Sequence, residues 1–295
     1  MDPATLWAVT CDRSDPHPAE EARVPALDAG YLAGESVYET LRTYHARPFA
    51  LEDHLARLSS GLARLAAPSV DAEALASALR ALARLRAPAE SHLRVCASAG
   101  LRPWGQGPAG GACRWTALAG PLPPHLCAAY ERGVGCILAS RPRWNPSGYV
   151  PAVKFNGNPE LALARDEAAA AGAYEALLLS PGGDLAEGAS TNVFLAFGRT
   201  VVTPHLATGI LDGVTRGRVL ALCPRAGLAA EERRVDPREL FAADEVFLTS
   251  TTREVVPVVS VDGRPVGRGE PGLLADRLLG LYQEAALEAT SGDRP

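Results

Sequence analysis

The hydrophobic and polar positions of the chain fall into short alternating runs separated by runs of helical period. Residues 36–44, SVYETLRTY, alternate apolar and polar side chains and lead into HARPF, the pattern of a strand followed by a turn. In 52–66, Leu55, Leu58, Leu62 and Leu65 recur at helical spacing, with Asp53 placed to cap the helix they predict. Leu75, Leu79, Leu82 and Leu85 draw a second apolar helix face over 71–87. Both stripes read as core and carry no chemistry. HLRVCAS (92–98) and CRWTALAG (113–120) predict two more strands, flanking a Gly- and Pro-rich loop over 99–111.

The prolines of GPLPPHL, 120–126, stiffen the chain and exclude helix, which marks an interdomain linker between a small N-terminal domain, 1–119, and a larger C-terminal one, 127–295. After it the pattern predicts a strand at VGCILAS, a helix at PELALARDEAAAAGA and a strand at YEALLLS. A turn at PGGD and strands at NVFLAF and TVVTP come next. The run ends with a helix at TRGRVLALCPRAGL, strands at EVFLTS and VPVVSVDG, and a terminal helix from Leu273. Strands occur in consecutive pairs as well as between helices, so the pattern favours a mixed α+β fold over a doubly wound parallel sheet. No G-x-G-x-x-G or Walker loop follows a strand, which removes support for dinucleotide binding or phosphoryl transfer.

Composition narrows the function classes. With 47% hydrophobic and 21% charged residues in 295, the chain can bury a sizeable core. A net charge of −5 and the lack of basic runs argue against a nucleic-acid partner. The six cysteines are scattered without a C-x-x-C pair and the six histidines lack ligand spacing, so neither a disulfide framework nor a metal is expected. The N-terminal residues do not form a basic-then-apolar leader, and no window approaches the length of a membrane span. A cytoplasmic protein with free thiols is the expectation.

One residue stands apart. Lys154, in VKFNGN, is the single lysine among 29 Lys and Arg residues. Arginine serves ion pairing and anion recognition as well as lysine does, but its guanidinium stays protonated, whereas an amine can lose its proton and form a Schiff base. Lys154 is therefore a candidate for covalent chemistry; the competing reading is a chance survivor of a composition poor in lysine. The count alone does not separate them. Glu187 lies between the PGGD turn and an apolar strand. GILDGVTRGR sets a glycine at a turn before a helix start, whose backbone amides suit a phosphate. FLTSTTRE ends a strand in four hydroxyls, Thr249, Ser250, Thr251 and Thr252. Each feature alone is weak.

Taken in order, SVYETLR, HLARL, VKFNGN…ARDEA, EGASTNVF…TP…GILDGVTR and FLTSTTREVVPV resemble the class-IV aminotransferase family over nearly the whole chain. These are two-domain pyridoxal-phosphate enzymes of fold type IV, a group that holds branched-chain and D-amino-acid aminotransferases and 4-amino-4-deoxychorismate lyases. The resemblance implies pyridoxal 5′-phosphate as cofactor and Lys154 as the lysine that forms the Schiff base and moves the substrate proton. It implies Glu187 at the pyridine nitrogen, and Arg57, Val214, Thr215 and Thr251 at the phosphate. Tyr38 and Arg102 fall where the D-amino-acid enzymes handle substrate, and Thr40 where the lyases use a threonine for proton transfer; Arg42, as an anion anchor, and Thr252 are further substrate-side candidates. A homodimer is implied as well.

One departure is Pro159, five residues after Lys154, where branched-chain aminotransferases carry a tyrosine that bonds the 3′-oxygen of the cofactor. Proline offers neither hydroxyl nor backbone donor. The leading expectation is an aminotransferase moving the amino group of an amino acid to a 2-oxo acid by a ping-pong route, which the TSTTRE turn favours. The alternatives are the pyruvate-releasing lyase, on the strength of Thr40, and a non-catalytic binding protein of the same fold, which retention of Lys154 and Glu187 opposes.

Overall fold

The computed structural model describes residues 5–104, 111–144 and 151–291. Its backbone is mixed α+β and groups into two units. The first comprises the described chain up to Pro123 with Val153–Gly157 and the stretch from Ala286; the second comprises the rest of the described chain between Pro124 and Ala285. The division at Pro123 falls inside the proline-rich stretch. The five residues around Lys154 nevertheless group with the first unit, although they follow that stretch in sequence.

The first unit is built on a sheet of β1 (Trp7–Thr10), β2 (Arg13–Pro18), β3 (Ser36–Tyr44), β4 (Arg47–Pro48), β5 (Ser91–Ser98) and β6 (Arg114–Pro121), in the order β2-β1-β6-β5-β3-β4. Its pairings are antiparallel, and a short helix, α1 (Ala29–Ala33), precedes β3. From Val37 to Thr43 the side chains of β3 alternate. Val37, Glu39, Leu41 and Thr43 are buried on one face, while Tyr38, Thr40 and Arg42 are half-buried on the other.

The two leucine stripes form α2 (Leu51–Arg64) and α3 (Ala72–Leu85), whose buried faces include Leu58, Leu62, Leu75, Leu79 and Leu82. Asp71 caps α3 by accepting from the Ala74 N–H at 3.0 Å. Asp53 does not cap α2. That helix begins one turn earlier, after Ala50 in the left-handed region (φ 53°), and Asp53 sits in its first turn, where a carboxylate meets the positive end of the dipole. Part of the predicted loop 99–111 lies outside the described residues.

The second unit holds α4 (Leu126–Arg132), β7 (Val134–Leu138), α5 (Pro159–Ala170), β8 (Glu175–Leu179), β9 (Leu185–Gly188), β10 (Asn192–Phe197), β11 (Thr200–Pro204), α6 (Val214–Leu222), β12 (Ala229–Arg233), β13 (Glu245–Ser250), β14 (Glu254–Val261), β15 (Arg264–Pro265) and the part of α7 (Leu273–Thr290) before Ala286. The strands run β12-β11-β10-β13-β14-β7-β8-β9, with β15 on β14. The pairs β11–β12, β14–β7 and β7–β8 are parallel and the rest antiparallel, so the sheet is mixed as the pattern predicted. Val193, Leu195, Val202, Val246, Leu248, Val256 and Val258 fill its core. Missing from the sequence reading are β1, β2, α1, α4, β9 and β12, elements of four to seven residues whose periodicity is too brief to register. Among the described residues no helix is long and apolar enough to cross a membrane.

Candidate active site

Lys154 does not end a regular strand. It lies in a short stretch fastened to the edge of β3: Phe155 bridges Val37, and the Tyr38 N–H donates to the Lys154 carbonyl at 2.9 Å. The ammonium stands 4.6 Å from the centre of the Tyr38 ring, and the Arg94 guanidinium 4.0 Å from it. Arg94 is opposite Thr40 in the β3–β5 register, so Tyr38, Thr40, Arg42 and Arg94 share one sheet face with the lysine amine. Asn156 ties this corner together. Its amide donates to Ser36 Oγ at 3.0 Å, and its Oδ1 accepts from Arg94 Nη2 at 3.1 Å. A cavity of about 270 Å³ opens beside it, bounded among others by Ser36, Cys96, Trp115, Thr116 and Asn156.

On the opposite face of β3 lies a buried cluster that the motifs did not predict. Glu39 accepts from Arg57 Nε at 2.7 Å and Nη2 at 2.8 Å, a bidentate pair, and lies 2.8 Å from His54 Nδ1. Burial by itself pushes the Glu39 carboxyl up, but the Arg57 guanidinium and the hydrogen bonds from Arg57 and His54 outweigh it and hold the group at about 2. Burial lowers the His54 imidazole, so the cluster is built around one anion and one permanent cation. The other arginine singled out by sequence, Arg102, lies beyond the end of β5, pairs with Glu35 and donates its backbone N–H to Leu27.

The second unit assembles an anchor of a different kind. Glu187, between the PGGD turn and the apolar strand as the sequence places it, is in a short strand of its own, β9, and is buried. Its Oε1 accepts from Arg143 Nε at 2.8 Å; its Oε2 accepts from the Leu211 N–H at 3.0 Å and lies 3.4 Å from Asn192 Nδ2. Asn192 also donates to the Leu211 carbonyl at 3.0 Å, binding the carboxylate to the segment that opens α6. That helix starts after Gly213 with no side chain capping it, which leaves the amides of its first turn, Val214 and Thr215, for an anion. A Cβ at position 213 would overlap Asn192 Oδ1, so the glycine is what lets the helix start pack there. In the antiparallel register Asn192 faces Thr249, two residues before Thr251. The hydroxyls of Thr249 and Ser250 are buried without a hydrogen-bond partner among the described residues. The turn over Thr251 and Thr252 is pinned from beneath by Glu254, fully buried at φ 54°, which accepts from Tyr130 Oη and Gln283 Nε2 at 2.8 Å each.

A family model for class-IV amino-transferases matches residues 36–261. The chain belongs to the class-IV aminotransferases. A D-alanine aminotransferase from Bacillus licheniformis is 35% identical over 273 residues, which cover 92% of this chain and 94% of that one. The crystal structure of the Escherichia coli branched-chain aminotransferase superposes with a TM-score of 0.87 at 28% identity, covering 98% and 96% of the two chains. The branched-chain enzyme of Thermobaculum terrenum, in its PLP form, gives 0.83 at 28% identity, covering 97% and 94%. The fold is thus fold type IV.

In this aminotransferase, then, Tyr38, Thr40, Arg42 and Lys154 come together on one face within the first unit; within the second, Glu187 is bonded through Asn192 and Leu211 to the segment that leads into Val214 and Thr215, and Thr251 and Thr252 follow the strand that pairs with Asn192. Sequence reasoning missed Glu39, His54, Arg94, Arg143 and Asn192. A signal existed for one of them: His54 precedes Arg57 by three positions, a polar residue on the leucine stripe of α2 that a purely structural helix would fill with an apolar one.

Proposed function

We propose that this enzyme moves the amino group of an α-amino acid to a 2-oxo acid in two half-reactions, using pyridoxal 5′-phosphate attached to Lys154. The observation that carries the reading is the chain's only lysine, standing on a half-open sheet face among Tyr38, Thr40 and Arg94. The donor set of the second unit fits the cofactor: uncapped amides at Val214 and Thr215 beside partnerless buried hydroxyls suit a phosphate, and a carboxylate held by neutral donors on one oxygen suits a ring nitrogen.

When bound, the cofactor supplies a carbonyl for the amino group and an electron-withdrawing ring. Lys154 holds it covalently and, once displaced by substrate, carries the proton to and from the substrate Cα. Glu187 holds a proton on the ring nitrogen. Arg57, the first-turn amides of α6 and Thr251 hold the phosphate, and Glu39 keeps the Arg57 guanidinium oriented. For the substrate carboxylate the best candidate is Arg94, which faces the lysine and has no carboxylate within ion-pair distance among the described residues, whereas Arg102 is neutralised by Glu35. Thr252 and Arg42 complete the substrate contacts. Pro159 opens α5 as its first residue and supplies no contact of its own.

The relatives named above are aminotransferases of D-alanine and branched-chain amino acids, which favours transfer over the lyase reaction. A homodimer is supported by apolar side chains exposed on α1 and on two adjoining loops of the first unit, Val24, Tyr31 and Trp104 among them, and sedimentation of the purified protein tests it. The attachment is tested by borohydride reduction of the loaded enzyme and peptide mass spectrometry. A pyridoxyl group on Lys154 is expected, and none there would end the proposal.

A further inference from the structure

Arg143 is a buried cation shared by two buried carboxylates. Its Nε donates to Glu187 Oε1 at 2.8 Å and its Nη1 to Glu160 Oε1 at 2.8 Å, and the three side chains are 5–10% exposed. Two backbone bonds fix it: its N–H to the Leu179 carbonyl of β8 and its Nη1 to the Trp144 carbonyl, both at 2.6 Å. Glu160 stands in the first turn of α5, and its Oε2 is buried with no partner among the described residues. Among the described residues, two carboxylates and one guanidinium leave a formal charge of −1 in a buried cluster, and such a cluster normally recruits one more cation or donor.

A protonated ring nitrogen at Glu187 is that cation. With it the count is two and two. Without Glu160, Arg143 would cancel Glu187 outright, and the carboxylate would present little net charge to the ring. With Glu160 in place, the charge of Arg143 is divided between two acids, and Glu187 keeps its hold on the nitrogen proton. We infer that Glu160, acting through Arg143, is a positioning residue that sets how firmly Glu187 keeps the cofactor's ring nitrogen protonated. The inference rests on the reading that Glu187 faces that nitrogen, and it adds a remote control of the ring's electron-withdrawing power on the first turn of the helix that follows the catalytic lysine.

The test is ¹⁵N NMR of the protein loaded with ring-labelled pyridoxal phosphate. The wild type is expected to give the resonance of a protonated pyridine nitrogen, and Glu187→Gln that of an unprotonated one. Glu160→Gln keeps the side chain's shape and is expected to move the resonance toward the unprotonated position at neutral pH, with a fall of about tenfold in single-turnover rate, one unit of proton affinity. Glu160→Asp, which keeps the charge, is expected to stay near the wild type. An unmoved resonance in Glu187→Gln would sink the reading of Glu187 itself. A moved resonance in Glu187→Gln with an unmoved one in Glu160→Gln would overturn the inference alone, as would equal displacement in Glu160→Asp and Glu160→Gln. Should Glu160→Gln fail to accumulate, Glu160→Met makes the same charge change in a different shape and is read in the same way.

Discussion

Lys154 and Tyr38 are joined twice: the Tyr38 N–H donates to the lysine carbonyl at 2.9 Å, and the lysine ammonium stands 4.6 Å from the centre of the Tyr38 ring. The backbone bond fixes where the lysine leaves the chain, and the ring limits where its amine can go. A reactive amine must be held this way, because a misplacement of an ångström in a nucleophile costs far more rate than the loss of a surface contact.

Replacing Lys154 with Arg keeps the charge and most of the volume but removes the amine. Turnover is expected to disappear, together with the near-visible band of the loaded protein, while the far-ultraviolet circular dichroism stays unchanged. Activity comparable to the wild type would show that the amine is not the reacting group.

The Glu39 cluster predicts an acid limit. The Glu39 carboxyl is depressed from 4.5 to about 2, so the folded form is favoured above the unfolded value and loses that advantage as pH falls from 4.5 toward 2, a term of roughly 3 kcal/mol. His54 acts in the same direction, since a lowered imidazole binds its proton less readily folded than unfolded, and this loss begins as pH drops below 6.5. Glu39→Gln is expected to lower stability at pH 7 and to flatten the acid arm of the thermal midpoint against pH between about 4.5 and 2. A mutant profile parallel to that of the wild type would remove the cluster from the acid transition.

Gly213 permits the start of α6 to pack against Asn192. Gly213→Ala forces Asn192 or the helix start to move, and strain of this kind costs roughly 1–3 kcal/mol. Cofactor affinity, measured by fluorescence titration of the apoprotein, is expected to fall by about tenfold or more, in line with Arg57→Ala. Affinity unchanged in both would place the phosphate elsewhere.

Arg94 and Arg102 make a discriminating pair. Arg94→Gln is expected to raise the KM of the amino-acid substrate by roughly ten- to a hundredfold, the weight of a charge-assisted bond to a carboxylate, whereas Arg102→Gln should change it little. Steady-state kinetics with the two variants side by side decides the assignment, and the reverse ranking would return it to Arg102.

The long periodic segments were legible in the sequence because their period repeats several times: β3, α2, α3, β5 and β13 lie where the alternation or the leucine spacing put them. Where α2 begins was not legible, since its first turn follows an alanine in a left-handed conformation that no capping residue announces. Of the site, Lys154 was legible through its rarity. Arg94 was not: it is one of 28 arginines, and only the register opposite Thr40 brings it to the face of the lysine. The strand that holds Glu187 was not legible because β9 is four residues long, and Arg143 and Glu160 gave no signal because what matters is a long-range charge pairing that spacing cannot encode.

Lys154, on this reading, runs an amino-group transfer in two separable halves. Mixing the cofactor-loaded enzyme with L-leucine, L-glutamate or D-alanine, with no 2-oxo acid present, tests it most directly. The near-visible band should vanish with at least one of them as one molecule of 2-oxo acid is released per site and the reaction then stops. A band that persists with all three, or a 2-oxo acid that keeps accumulating without an acceptor, would contradict the claim.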